Sequence, residues 1–229
     1  MDTAVVTLVL FFTSMHRRLG AMAYHQRALL AYMNPAEIAT LPDLDKIEVQ
    51  PRKYGYRREA MTWEDLKDIV EKEKNLAKLS RNLTQQRVYI YYRQELLKEW
   101  KSVYDHILVS KFGFGKRKVE GIDEEGQLQK LWQANPSLDN FRGVQKVLKP
   151  NDFPYYTAKN IEHWCLWKLG GAISDCEIDD AKADLMKRHG DILDFITWRN
   201  PPHLKSLPQI EHIHMLCYRS GQSMNGCRV

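Results

Sequence analysis

The last third of the chain carries three short apolar runs, each followed by glycine or proline or by a polar tail, and these constrain its fold more than any other feature. Residues 161–169 (IEHWCLWKL) are rich in aromatic and large aliphatic side chains, the composition of a buried strand, and Gly170 and Gly171 end the run. Ser174 and Glu177 stand at capping-box spacing, so residues 178–189 read as a helix closed by Gly190. Residues 192–198 form the second run. Pro201, Pro202 and Pro208 then frame a loop before the third, residues 210–219, and a polar tail begins at Ser220. Strand, helix, strand, loop, strand predicts an α+β domain with a largely antiparallel sheet.

Upstream, the periodicity is helical. Thr62 has the character of an N-cap, with Glu64 and Asp65 in the first turn where the helix dipole favours acids. Leu66, Ile69, Val70, Leu76 and Leu79 recur at helical spacing, and Arg81 and Asn82 break the pattern. A second helix is expected from Thr84 to Lys111, ending before Gly113, with Val88, Tyr92, Leu96, Trp100, Val103 and Ile107 on one broad face. The two make an N-terminal helical hairpin that covers the sheet. The aromatic stripe Tyr89, Tyr92, Trp100 and Tyr104 is expected in the core. Residues 112–150 are glycine-rich and polar at first and then carry Leu128, Leu131 and Trp132, which predicts a loop leading into a short helix.

With 44% hydrophobic residues, a chain of this length buries a sizeable core without a metal or disulfide staple. The net charge of +5 is spread along the chain rather than gathered, so no nucleic-acid partner is expected. The densest basic run, Lys111 to Lys118 (KFGFGKRK), reads as a solvated loop and lacks the Ser or Thr of a phosphate loop. Cys165, Cys176, Cys217 and Cys227 make no CxxC pair. Cys165 and Cys217 fall inside apolar runs, as buried reduced thiols do, which points to a reducing, cytoplasmic setting. The apolar stretch from Val5 to Phe12 is too short to span a bilayer, so no membrane partner is expected. Arg17, Arg18 and Arg27 in an acid-poor stretch make a mitochondrial presequence the alternative address. Residues 1–60 read as a poorly defined leader, 61–219 as a single α+β domain and 220–229 as a tail, and no feature of the sequence fixes an oligomeric state.

Successive strand side chains point to opposite faces, so His212 and His214 share one face of the last run, which Leu216 and Tyr218 continue. Ile213, Met215 and Cys217 take the other. A plain core strand carries aliphatic residues at such positions. His163 lies in the first run, and pairing of the two strands brings it close. Three readings fit. The imidazoles act on phosphorus, as nucleophile or general acid. Or they ligate a metal, two from one strand and one from its neighbour, with zinc the candidate ion although no cofactor is required. Or they are structural, hydrogen-bonded within the sheet of a non-enzymatic regulatory or interaction protein. His203 and Lys205 read as a solvated loop pair, Asp152 as a turn former, and Trp164, Trp167 and Trp198 as sheet core.

The stretches KPNDFPYYTAKNIEHWCLW (149–167) and ITWRNPPHLKSLPQIEHIHMLCYR (196–219), with MTWEDLKDIV and WKSVYDHILVSKFGF, resemble the N-acetylglucosamine-induced protein family. The resemblance covers roughly residues 61–219 and implies an amino-sugar context without an established chemistry. A more distant resemblance, to histidine-triad nucleotide hydrolases and transferases, supplies one. Those proteins pair an Asn-x-x-Pro segment and a His-bearing strand with a later Asn, Ser or Gln, and a His-x-His-x-His strand. The order here is similar: Asn151, Pro154 and His163, then Asn200, Ser206, Gln209, His212 and His214, with Leu216 at the third triad position. This resemblance implies a histidine-triad-like fold with His214 as nucleophile on an α-phosphorus and His212 as its catalytic partner. It gives phosphate contacts to Asn200, Ser206 and Gln209, and places His163 and Asn151 in the ligand site. The expectation is therefore nucleotide or sugar-nucleotide binding, with a small phosphorylated ligand as partner and nucleotidyl hydrolase or transferase chemistry.

Overall fold

The structure is a computed structural model and describes residues 41, 44–122, 126–135 and 145–220. The expectations for residues 1–40 and for the tail beyond Ser220 lie outside the described residues. Helix α1 spans Trp63–Lys67 and opens, as the sequence predicts, at Thr62, whose side chain and that of Asp65 cap each other's backbone N–H. The expected continuation to Leu79 is not α-helical. The chain widens into a π turn over Asp68–Lys72, takes a positive φ of 53° at Lys74 and resumes as a 3-10 turn over Leu76–Lys78. Leu66, Ile69 and Leu79 nonetheless pack in one cluster.

The long second helix is two helices, α2 (Leu83–Glu99) and α3 (Val103–Phe112). Asn82, which interrupts the apolar pattern, is the N-cap of α2 in a capping box with Gln85. Trp100 leaves helical backbone at φ −118°, ψ 141° and bridges to Trp132, and Ser102 restarts the helix by accepting from the Asp105 N–H. A local polar cap and a long-range strand contact thus outweigh the continuous apolar stripe that suggested one helix. Gly113 closes α3 at φ 75°, where a side chain would be strained.

Where a loop and short helix were expected, β1 (Lys116–Ile122) and β2 (Leu128–Ala134) form an antiparallel ribbon. β1 is mostly exposed and β2 buries Leu131 and Ala134, three positions apart, so the ribbon lacks the apolar alternation that marks a strand from sequence. Cross-strand contacts hold it instead: the ammonium groups of Lys116 and Lys118 sit 4.3 and 4.4 Å from the Trp132 ring centre. The basic run read as a loop is therefore partly the first strand.

The main sheet is antiparallel with order β3–β4–β6–β5, built from β3 (Lys146–Pro150), β4 (Ile161–Lys168), β5 (Ile192–Trp198) and β6 (Glu211–Arg219). Helix α4 (Asp175–Arg188), with the predicted Ser174–Glu177 capping box, crosses between β4 and β5. It buries Ala181 and Leu185 against Trp164, Leu166, Ile213, Met215 and Cys217 on one face of the sheet. On the opposite face, Met61, Trp63 and Leu66 pack on Ile161, Ile196 and Leu216 at one end. Ile107 and Leu108 of α3 pack with Leu169, Leu207 and Ile210 at the other. Each such fully buried side chain contributes about 1.5–3 kcal/mol, so these two patches fix the helical layer over the sheet, and a cavity lies between them. The fold is α+β with antiparallel sheets, as the sequence implies. Part of the segment read as a leader is tied down: Arg52 donates to the carbonyls of Ala77 and Leu79, and Arg57 to that of Lys78. Among the described residues no helix is long and apolar enough to cross a membrane.

Candidate functional site

Antiparallel register sets Cys165 opposite His214, Trp167 opposite His212 and His163 opposite Leu216. All five polar or aromatic members of this set therefore share one sheet face, and β5 adds Trp198 opposite His214. His163 Nε2 lies 3.0 Å from His214 Nδ1, and Cys165 Sγ lies 3.5 Å from the same nitrogen. Stacked aromatic rings clamp the imidazoles. Trp198 lies on His214 at 5.1 Å and 11°, Tyr155 on His163 at 5.1 Å and 26°, and Trp167 on His212 at 4.6 Å and 26°.

Neighbours that can only donate determine where the protons sit. The Trp198 indole N–H donates to Asn200 Oδ1, which turns the Asn200 NH₂ group toward His214 Nε2 at 3.0 Å. That nitrogen must offer a lone pair, so Nδ1 carries the proton and donates it to His163. Asn151 is polarised the same way, the Phe153 N–H donating to its Oδ1 and its NH₂ group meeting His163 Nε2 at 3.2 Å. The Nε2 lone pair is thus shared between Asn151 and His214, while the Tyr155 N–H makes only a long 3.4 Å contact with Nδ1. His212 Nδ1–H donates to the Ile210 carbonyl at 2.9 Å, leaving Nε2 with its lone pair. Burial keeps the imidazoles neutral. It drives His163 well below the usual range, with the nearby His214 and Arg81 adding to the effect. It takes His214 down to about 3, aided by His212 and Arg81, and lowers His212. Burial also pushes the Cys165 thiol up to about 12.

A cavity of about 650 Å³ opens over this face. Its wall includes His212 and His214 and four further residues singled out from the sequence: Asn151, Asn200, Ser206 and Gln209. His163 is outside the lining, 1% exposed and held against His214. The remaining wall is aromatic and basic. Tyr56, Tyr89, Tyr92, Tyr104, Phe153 and Tyr155 line it, as do Arg52, Arg81, Arg93 and Lys101. The lining carboxylate, Asp152, is bound to Lys111 at 2.7 Å in a pair whose side chains are 8% and 14% exposed. Arg52 and Arg81 meet carbonyl oxygens rather than carboxylates. Three of the four rings of the aromatic stripe, Tyr89, Tyr92 and Tyr104, thus line the cavity, and of the four only Trp100 is buried as expected. Asn151, not Asp152, shapes the turn, by accepting from the Phe153 N–H. His203 is exposed and Lys205 pairs with Glu211, and neither lines the cavity.

Residues 62–218 match the model of a family described as a protein of unknown function, DUF3605. The chain belongs to the DUF3605 family. No curated protein matches it significantly. This DUF3605 chain is also similar to the crystal structure of HTC1, with 18% identity, coverage of 69% of this chain and 85% of that one, and a TM-score of 0.43.

Two features of the DUF3605 site were missed from the sequence. Arg81, Arg93 and Lys101 flank and ride on α2 at irregular spacing and Arg52 joins them from upstream, so no local pattern announces the four cations. Cys165 was read only as a buried thiol, yet its ligand atom and those of His163 and His214 all lie within 4.8 Å of one another. The signal was present, because Cys165 follows His163 by two and so shares its strand face. An ion between the three would bind His214 at Nδ1, move the proton to Nε2 and turn the Asn200 amide away from Trp198. That strands the buried Trp198 N–H, at a cost of about 1–3 kcal/mol. A Cys and His zinc site supplies on the order of 10 kcal/mol, so the donor set fits a metal. His212, which the sequence places in the metal set, does not join it: the converging ligand atoms belong to His163, Cys165 and His214, and the His212 Nδ1–H is held by the Ile210 carbonyl.

Proposed function

We propose that this DUF3605 chain binds a small phosphorylated ligand, a nucleotide or sugar nucleotide, in the cavity over β4 and β6 and carries out phosphate-ester chemistry there. One observation carries this reading: Arg52, Arg81, Arg93 and Lys101 surround an aromatic-walled cavity whose lining carboxylate is already neutralised. A phosphate supplies the missing counter-charge through charge-assisted hydrogen bonds, and the tyrosine rings offer faces to a planar base or a sugar. Asn200, Ser206 and Gln209 stand in the same wall as further polar contacts.

The imidazoles are neutral, the state required to attack phosphorus or to take a proton from water. The His212 lone pair on Nε2 is backed by an Nδ1–H anchored to a carbonyl. His214 must first release the Asn200 NH₂ group to act as the nucleophile that the histidine-triad resemblance implies. His163 is a positioning residue in this reading, since it acts through His214. The resemblance to N-acetylglucosamine-induced proteins favours a sugar nucleotide, and the free buried thiols of Cys165 and Cys217 favour a reducing, cytoplasmic setting.

The test is a thermal-shift panel of nucleotides and sugar nucleotides with orthophosphate as control, repeated on Arg93→Ala/Lys101→Ala. The expected result is stabilisation by at least one phosphorylated compound that the double variant loses. An unchanged melting temperature across the panel overturns the proposal. Phosphorus NMR of the stabilising compound then separates turnover from binding alone, and binding without turnover would favour the regulatory, non-enzymatic reading.

A further inference from the structure

We propose that His163, Cys165 and His214 bind one zinc-class divalent ion through Nε2, Sγ and Nδ1, with the remaining coordination position directed to the cavity. The observation is a convergence of atoms. Two ring nitrogens 3.0 Å apart and a sulfur 3.5 Å from one of them come from adjacent strands in fixed register, and all three atoms fall within 4.8 Å of one another. Zinc bonds of about 2.0–2.1 Å to nitrogen and about 2.3 Å to sulfur put tetrahedral ligand atoms about 3.3–3.6 Å apart. Shifts of a few tenths of an ångström up to about an ångström in the side chains therefore open the cluster to the ion.

The donor set selects the metal. Two imidazoles and one thiolate suit zinc and related borderline-soft ions, whereas magnesium and calcium require oxygen. The thiol proton leaves to solvent on binding, and the His214 proton moves from Nδ1 to Nε2, so one positive charge is released for each divalent ion taken up. The rings are already oriented, because Trp198 and Tyr155 stack on His214 and His163. A metal-bound imidazole needs an acceptor at its other nitrogen, so binding turns the Asn200 carboxamide oxygen toward His214 Nε2–H and displaces the long 3.4 Å contact of the Tyr155 N–H with His163 Nδ1. Cys165 and His214 line the cavity and His163 does not, so the protein ligands close the ion on the sheet side and leave it open to the cavity. Three protein ligands and one open position is the arrangement of a zinc ion that meets a substrate or water.

The inference is independent of the phosphorylated-ligand reading, because the metal alone is the probe. Full-length protein stripped with chelator is titrated with cobalt(II). The expected result is one equivalent bound, with a sulfur-to-cobalt charge-transfer band in the near ultraviolet and intense tetrahedral visible bands. Cys165→Ser removes the charge-transfer band, while Cys217→Ser, a buried thiol on the opposite sheet face, keeps it. X-ray absorption of the zinc-loaded wild-type chain requires no variant and is expected to show one sulfur and two or three nitrogen or oxygen neighbours. Absence of stoichiometric cobalt or zinc binding, a charge-transfer band that survives Cys165→Ser, or a metal shell without sulfur overturns the proposal.

Discussion

His163 and His214 meet across β4 and β6 with one proton between Nε2 and Nδ1, and each also receives an asparagine NH₂ group. Neither imidazole can be removed without stranding polar partners in a buried site. His214→Ala is expected to lower stability by about 3 kcal/mol, from unpaired buried groups and the space left behind. Asn200→Ala should cost about 2 kcal/mol. Because the two share a hydrogen bond, the double variant should lose less than the sum by at least 0.5 kcal/mol or so. Urea unfolding of the four proteins measures this, and strict additivity would show that the pair does not interact.

Arg93 and Lys101 lie in exposed positions on the cavity wall. Arg93→Ala and Lys101→Ala should each weaken a phosphorylated ligand about tenfold, equivalent to about 1.4 kcal/mol. The effect should shrink as salt rises. Stability should change by no more than about 0.5 kcal/mol, as for other surface substitutions. Titration calorimetry at two ionic strengths together with a melt checks both halves.

Lys111 and Asp152 form a largely buried ion pair between α3 and the turn after β3. Lys111→Met leaves the carboxylate buried without its counter-ion and should cost about 3 kcal/mol. Lys111→Met/Asp152→Leu should recover most of that loss, because it removes both charges together. Chemical denaturation of the single and double variants distinguishes a charge effect from simple loss of packing.

Glu177 sits in the first turn of α4, where a hydrogen bond from Lys168 and the Ser174 N–H hold its carboxyl down at about 2. A carboxyl that ionises more readily folded than unfolded adds stability above its unfolded pKa of about 4.3. That contribution falls away as the pH drops from about 4 toward 2. Wild type should therefore lose its advantage over Glu177→Gln across this acid window, and stability curves taken from pH 7 to pH 2 should converge there.

Much of the fold was legible because its signals are local. The Thr62 and Ser174 caps and the spacing of His212 and His214 depend on residues within a few positions of one another. The break at Trp100 was not, because its bridging partner, Trp132, is remote in sequence. The β1–β2 ribbon escaped notice for a related reason: β1 is mostly exposed and β2 buries residues three positions apart, so neither shows apolar alternation. In the site, alternation on β6 placed His212 and His214 together, while the protons on their rings follow from Trp198, Asn200 and Ile210. The cationic lining depends on Arg52 meeting Arg81, Arg93 and Lys101, which flank and ride on α2, and only the folded chain reveals that they face one cavity.

Strand β6 alternates imidazoles on one side with Ile213, Met215 and Cys217 beneath α4 on the other. A slip of a single residue would exchange the two sets, driving the rings under the helix and lifting thioether and thiol into the cavity. Such a lineage can therefore explore new chemistry here by replacing side chains, but scarcely by lengthening or shortening this strand. Indels in its relatives should gather in the connecting loops and spare residues 211–219.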